Sequence, residues 1–174
     1  MSGDDLFGQS WSALILDEID DYEAIRALTE HLADHPSNAS AYNNRGIAYW
    51  EIGELGLALE DLGEAIRHAG ADALPAKHRA MLRREMGDLP GALADFDQAV
   101  AIGPDEPDVR RARAFARIGS GDLAGAVEDF DRAIELEPGF RQTDRDRAAV
   151  LERLGESHRA RRDREAPDRP DGPE

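Results

Sequence analysis

The sequence predicts an all-α protein built as an array of antiparallel helix pairs, and three observations predict it. Residues 88–104, DLPGALADFDQAVAIGP, return 34 positions later as residues 122–138, DLAGAVEDFDRAIELEP. A fixed period of this length marks a repeat array rather than a single-core globule. Within each copy the apolar residues recur at spacings of three and four, which gathers them on one face of a helix. Between helices the chain is punctuated by glycine at matching places, Gly53, Gly87 and Gly121.

In chain order, residues 1–5 are a polar lead. Residues 6–38 form a degenerate helix pair. Trp11, Leu14 and Ile15 sit among Leu6, Phe7 and Ile19 and predict a first helix centred on residues 10–18. Tyr22, Ile25, Leu28 and Leu32 predict a second over about 21–34. Asp20 and Asp21 suit its start, where acids complement the helix dipole. It stops before Pro36, because the residue ahead of a proline is pushed out of the helical region. A degenerate end unit is expected, since it has a neighbour on one side only.

Repeat one covers residues 39–72, with Tyr42, Gly46 and Tyr49 on its first helix and a second helix over about 55–69. Repeat two covers 73–106 with Ala80 in the place of Gly46, and repeat three covers 107–140 with Ala114 there. In both, proline stands within the first residues, where a missing N–H costs nothing. Residues 141–165 are a degenerate fourth repeat or a capping helix: Ala148, Leu151, Gly155 and Ala160 keep their offsets, and then the apolar pattern ends. Two or three turns of solvated helix are expected up to about residue 165. Residues 166–174 are charged and rich in Pro, with nothing to bury, and are expected to be disordered.

These residues resemble the tetratricopeptide repeat, whose pattern W-x2-L-G-x2-Y, A-x3-F, P fills 34 residues. It reads here as Tyr42, Arg45, Gly46, Tyr49, Ala58 and Leu62, and again as Ala114, Ala126, Phe130 and Pro138. The resemblance covers residues 39–160, more weakly 6–38, and implies a right-handed superhelix of antiparallel helix pairs. Arg replaces the pattern's Tyr at Arg83 and Arg117 and its first aromatic at Arg110. Arg also replaces its Leu in every copy, at Arg45, Arg79, Arg113 and Arg147, while Asp61, Asp95 and Asp129 recur on the second helices. An Arg and an Asp repeating together predict an internal ion-pair ladder, and some bacterial members of the family look like this. Ligand binding by the arginines is the alternative reading.

Composition narrows the function. The net charge of −16 disfavours nucleic acid, whose binders are usually basic, and anionic membranes. The chain has no cysteine, which excludes disulfides, thiolate metal sites and a Cys nucleophile. The first residues show no basic region and no long apolar run, so neither a signal peptide nor a membrane span is read, and the cytoplasm is the default compartment. His31 and His35 have the i, i+4 spacing of a metal pair, but no third ligand is evident. No phosphate-binding loop, nucleophile elbow or dinucleotide fingerprint is present. Neither catalytic residues nor a cofactor nor a metal is expected.

The family resemblance implies ligands on a concave face lined by the first helix of each pair. The outward positions there include Asn43, Ile47, Trp50, Lys77, Met81, Arg84, Arg111, Phe115 and Ile118. Ile47, Trp50, Met81, Phe115 and Ile118 make an apolar strip flanked by Lys77, Arg84 and Arg111. Such a patch marks an interaction surface, open to an external partner, to the chain's own first helix or to a second copy. Members of the family that grip a chaperone's C-terminal carboxylate need matching residues at Gln9, Ala13, Asn44, Leu74 and His78, and only Asn44 fits. The expected function is a non-enzymatic adaptor holding a protein or peptide segment with apolar anchors and acidic flanks. A small acidic secretion-type chaperone and a self-assembling scaffold are the alternatives.

Overall fold

Glycines fix where the first helix of each pair ends. Gly53, Gly87, Gly121 and Gly155 take φ of 82°, 82°, 86° and 80°, a left-handed conformation that is costly for a residue with a Cβ. After each, the next N–H closes the helix end: Glu54, Asp88, Asp122 and Glu156 donate to the carbonyls of Tyr49, Arg83, Arg117 and Leu151 at 2.8–2.9 Å. The following helices then begin on side-chain caps, Asp88 accepting from the Gly91 N–H at 3.0 Å and Asp122 from the Gly125 N–H at 2.9 Å.

The computed structural model describes residues 20–103 and 105–165. Among them are nine helices and no strand: α1 Asp21–Asp34, α2 Ala39–Glu51, α3 Leu55–His68, α4 Leu74–Glu85, α5 Leu89–Ile102, α6 Pro107–Ser120, α7 Leu123–Leu136, α8 Arg141–Arg153 and α9 Ser157–Glu165. The expected lead, the helix at 10–18, Pro104 and the tail at 166–174 lie outside the described residues. The chain divides into two units, Met1–Leu82 and Arg83–Glu174, the division falling within α4.

In the first unit α2 packs on α1 and on α3. Gly46 sits at the α2–α3 crossing, where an added Cβ would lie 2.9 Å from Leu62 Cγ and 3.3 Å from the Ala58 carbonyl oxygen. Leu28, Leu32 and Ala41 form one core cluster; Ala58, Leu62 and Leu82 form another, against which Tyr49, Trp50, Leu55 and Leu59 lean. In the second unit α6 packs on α5 and α7, and α8 on α7 and α9. Its core is Phe130 ringed by Ala114, Ala126, Val127, Ala148, Val150, Leu151 and Ala160. Alanines on neighbouring helices let the backbones approach, and the one large ring fills the space they leave.

Charge is buried in the same period. Arg45 on α2 forks onto Asp61 of α3, Nε and Nη2 donating at 2.6 and 2.7 Å, and its Nη1 reaches back to Thr29 of α1 at 3.0 Å. In the second unit Arg113 forks onto Asp129 at 2.9 and 2.5 Å and reaches back to Asp97 of α5 at 2.8 Å. Each arginine therefore ties its own pair to the second helix of the pair before it. Arg79 lies in the first unit and Asp95 in the second, where Asp95 accepts from Arg83 at 2.8 Å. Arg83 and Arg117, which stand where the repeat pattern has Tyr, thus join the carboxylates: Arg117 Nη1 is 2.9 Å from Asp129 and donates to the Gly125 carbonyl at 2.8 Å. Burial works against the Arg113 charge, but hydrogen bonds and charge from Asp129 and Asp97 outweigh it and raise its pKa above the ordinary arginine value.

One expectation needs correcting here. The helix up to residue 165 is not simply solvated: Ala160 and Asp163 are buried in α9. Asp163 stands 34 residues after Asp129 and receives Arg147 at 2.8 and 2.7 Å, while Arg147 Nη1 reaches back to Asp131 at 2.5 Å. The apolar pattern ends at Ala160, yet the charged pattern carries the packing one turn further.

Candidate functional site

The residues expected to meet a partner lie on α2, α4 and α6. In the first unit Ile47 and Trp50 of α2 and Lys77 and Met81 of α4 are half-buried. Trp50 leans on the Ala58–Leu62–Leu82 cluster, so part of its ring belongs to the core. Asn43 departs from the expectation, because it is buried rather than outward. Its Oδ1 lies 2.8 Å from His78 Nδ1, and its Nδ2 donates to Asn44 Oδ1 at 3.3 Å. With the amide nitrogen turned to Asn44, the oxygen faces the ring, so the imidazole carries its proton on Nδ1. Asn44 is also buried in this network, which commits the only residue that matched the carboxylate-gripping set.

This link between α2 and α4 holds His78 neutral. Burial is the main cause, the neighbouring Lys77 charge adds to it, Asp72 opposes it, and the pKa falls from 6.5 to about 4. The unfolded chain takes up the proton below about 6.5, the folded chain only below about 4. Stability from this group is therefore complete above the higher value and is lost as the pH falls toward the lower one. The loss is on the order of 3 kcal/mol. Urea unfolding of the wild type and of His78→Gln at neutral and mildly acidic pH checks it. The wild type should lose more stability than the variant over that window, and parallel losses would contradict the assignment.

In the second unit Arg84, in the last turn of α4, is half-buried with no ion pair among the described residues. On α6, Arg111 Nη1 donates to Glu137 at 2.6 Å, and its other terminal nitrogen is held by Asp108. The guanidinium lies 4.3 Å from the ring centroid of Phe140, a cation–π distance. Phe115, one turn along α6 from Arg111, meets the buried Phe130 edge-on at 5.6 Å. Phe115 and Phe140 nevertheless stay 41% and 43% exposed. Ile118 packs against the second-unit core.

Glu137 and Phe140 are neighbours of the candidate site that the sequence did not indicate, while Asp108 and His78 stand at first-helix positions that the resemblance marks but make contacts it did not indicate. None of them repeats at the 34-residue offset, so periodicity gives no signal for them. The Arg-over-Phe contact joins a helix to the residue that opens the next one, and only the fold brings these together.

His31 and His35 stack at 4.3 Å, with the Asn38 amide 3.0 Å from His31 Nε2. Among the described residues no group of three or more His, Asp or Glu side chains has the geometry of a metal site. No helix among them is long and apolar enough to cross a membrane.

Models of the tetratricopeptide repeat match residues 23–73 and 85–155. No curated protein sequence matches the chain. Among solved structures, a crystal structure of MamA is similar at a TM-score of 0.76 and 21% identity, over 83% of this chain and 84% of that one. YrrB, described as a repeat protein with an unusual peptide-binding site, is similar at 0.67 and 19% identity, over 80% of this chain and 73% of that one. The first repeat domain of Spaghetti (RPAP3), bound to the HSP90 peptide SRMEEVD, is similar at 0.64 and 20% identity, over 67% and 93%.

Proposed function

Since the chain belongs to the tetratricopeptide-repeat family, we propose that it is a non-enzymatic interaction module that holds a partner's segment against its first-helix faces. The observation that carries this reading is the aromatic platform of the second unit. Two phenyl rings, Phe115 and Phe140, remain more than a third exposed although each has a fixed neighbour, Phe130 for one and Arg111 for the other. Arg111 is itself held by two carboxylates, so the platform is pre-organised and little side-chain freedom is lost when a ligand lands on it. Rigid aromatics of this kind are the usual anchors of binding energy. YrrB and the Spaghetti domain, each described with a peptide or a peptide-binding site, support the reading.

The chemistry of the ligand follows from what is still unpaired. Arg111 has Asp108 and Glu137, so its charge is balanced on the spot. Arg84 has no ion pair among the described residues and is the cation of the second unit left to attract acidic flanks, as Lys77 is that of the first. Trp50 is a poor test residue, because its removal would disturb the α3 and α4 packing as well as any ligand. Phe115→Glu is the cleaner one. It should lower the thermal midpoint by a few degrees, because its edge contact with Phe130 is lost, and weaken binding to the native partner by about 2 kcal/mol, roughly thirtyfold. Titration calorimetry showing unchanged affinity in a folded variant would remove α6 from the site.

A further inference from the structure

The last helix pair reverses the electrostatics of the chain. Residues 141–165 hold 8 arginines and 6 acids in a protein of net charge −16. Half of those arginines are neutralised locally: Arg141 with Asp144, Arg147 with Asp163 and Asp131, Arg159 with Glu156, Arg164 with Glu152. Arg145, Arg153, Arg161 and Arg162 are exposed and have no ion pair among the described residues. Elsewhere among the described residues Lys77 and Arg84 also have no ion pair, but both are half-buried.

A solubilising cap accounts for part of this. Arg161 takes the repeat position held by Leu59 and Val127, and Arg164 that of Leu62, Phe96 and Phe130, so an apolar packing face has become charged. Terminal repeats need a polar outer face. Polarity alone, however, does not require a positive sign in so acidic a chain. The helix dipole favours cations at Arg153 and Arg162, in the last turns of α8 and α9, by a few tenths of a kcal/mol to about one. It gives no reason for Arg145 or Arg161, each the fifth residue of its helix.

We infer that the outer faces of α8 and α9 are a second docking surface, for a short acidic segment of a partner protein. Arg145 and Arg153 stand eight residues apart on α8, roughly 12 Å along the axis. An extended chain spans that in about four residues, so acids spaced by about four would meet both, and α9 adds Arg161 and Arg162 from the packed neighbour. The surrounding acidity selects the ligand's size. Duplex nucleic acid or an anionic bilayer would face the rest of a −16 surface. A short peptide feels chiefly the charges within a Debye length, about 8 Å at physiological salt. A second copy of this chain carries the same repulsion as a bilayer.

The test uses the full chain and a fluorescein-labelled oligoglutamate peptide, read by anisotropy at low and at physiological salt. The wild type should bind it, more weakly as salt rises. R145Q/R161Q/R162Q should weaken binding about tenfold, with circular dichroism and thermal midpoint unchanged. The control R26Q/R67Q/R132Q changes the net charge equally and should bind like the wild type. Equal weakening in both triples, or no binding by the wild type at low salt, overturns the inference. So does preferential retention by phosphatidylserine vesicles or by duplex DNA, or an oligomer in sedimentation that the first triple dissolves. Phe115→Glu should leave this binding intact, which keeps the surface separate from the aromatic platform of α6.

Discussion

Phe130→Ala is expected to destabilise the protein by about 3–5 kcal/mol, the range for removing a fully buried aromatic ring. Phe130 is inaccessible to solvent, and its neighbours Ala114, Ala126, Ala148 and Ala160 are methyl groups on adjoining helices. The alanines have no rotamers with which to fill the hole, and only Val127, Val150, Leu151 and Phe115 can relax toward it, so part of the cavity persists. Urea unfolding followed by circular dichroism measures it. Phe130→Leu, which keeps most of the volume, should lose much less. A loss below about 1 kcal/mol for the alanine variant would mean that the ring is not the centre of the second-unit core.

Asp129→Ala should cost nearly as much, about 3–5 kcal/mol, for a different reason. Its carboxylate is 2% exposed and accepts from Arg113, with Arg117 paired at 2.9 Å and Arg110 at 3.9 Å. Removing it takes away the buried carboxylate and leaves Arg113 with the exposed Asp97 and Arg117 with Asp122 at 3.7 Å, although the guanidinium groups are themselves only 12–21% exposed. The native pairs contribute little net stability, since desolvation offsets their attraction, but an unpaired buried charge is costly. Asp97→Ala removes the outer end of the same rung, where the carboxylate is 63% exposed, and should cost under about 1 kcal/mol. Equal losses from the two variants would show that Asp129 is not buried among its arginines.

What the sequence revealed was whatever repeats. The glycine helix ends, the Ala crossings and the Arg–Asp register recur at one offset, and a charge that recurs with a partner has no reason to do so unless the two meet. Asp163 obeys the same offset from Asp129 and was open to the same reasoning; the fading apolar pattern concealed it. The site was less legible because its contacts are singular. Asn43 and His78 meet across two helices 35 residues apart, and Arg111 finds Phe140 and Glu137 beyond the next helix. Spacing alone sets Asn43 outward; burial and a hydrogen-bond partner from α4 override it.

The most direct measurement of the central proposal is site-specific photo-crosslinking in an extract of the native cell. A benzophenone amino acid replaces Met81, Phe115 or, as the control, Leu57, which is 42% exposed on α3. The account predicts that positions 81 and 115 each capture a partner and that position 57 captures none. Capture from position 57 at equal yield, or from neither 81 nor 115, would contradict it.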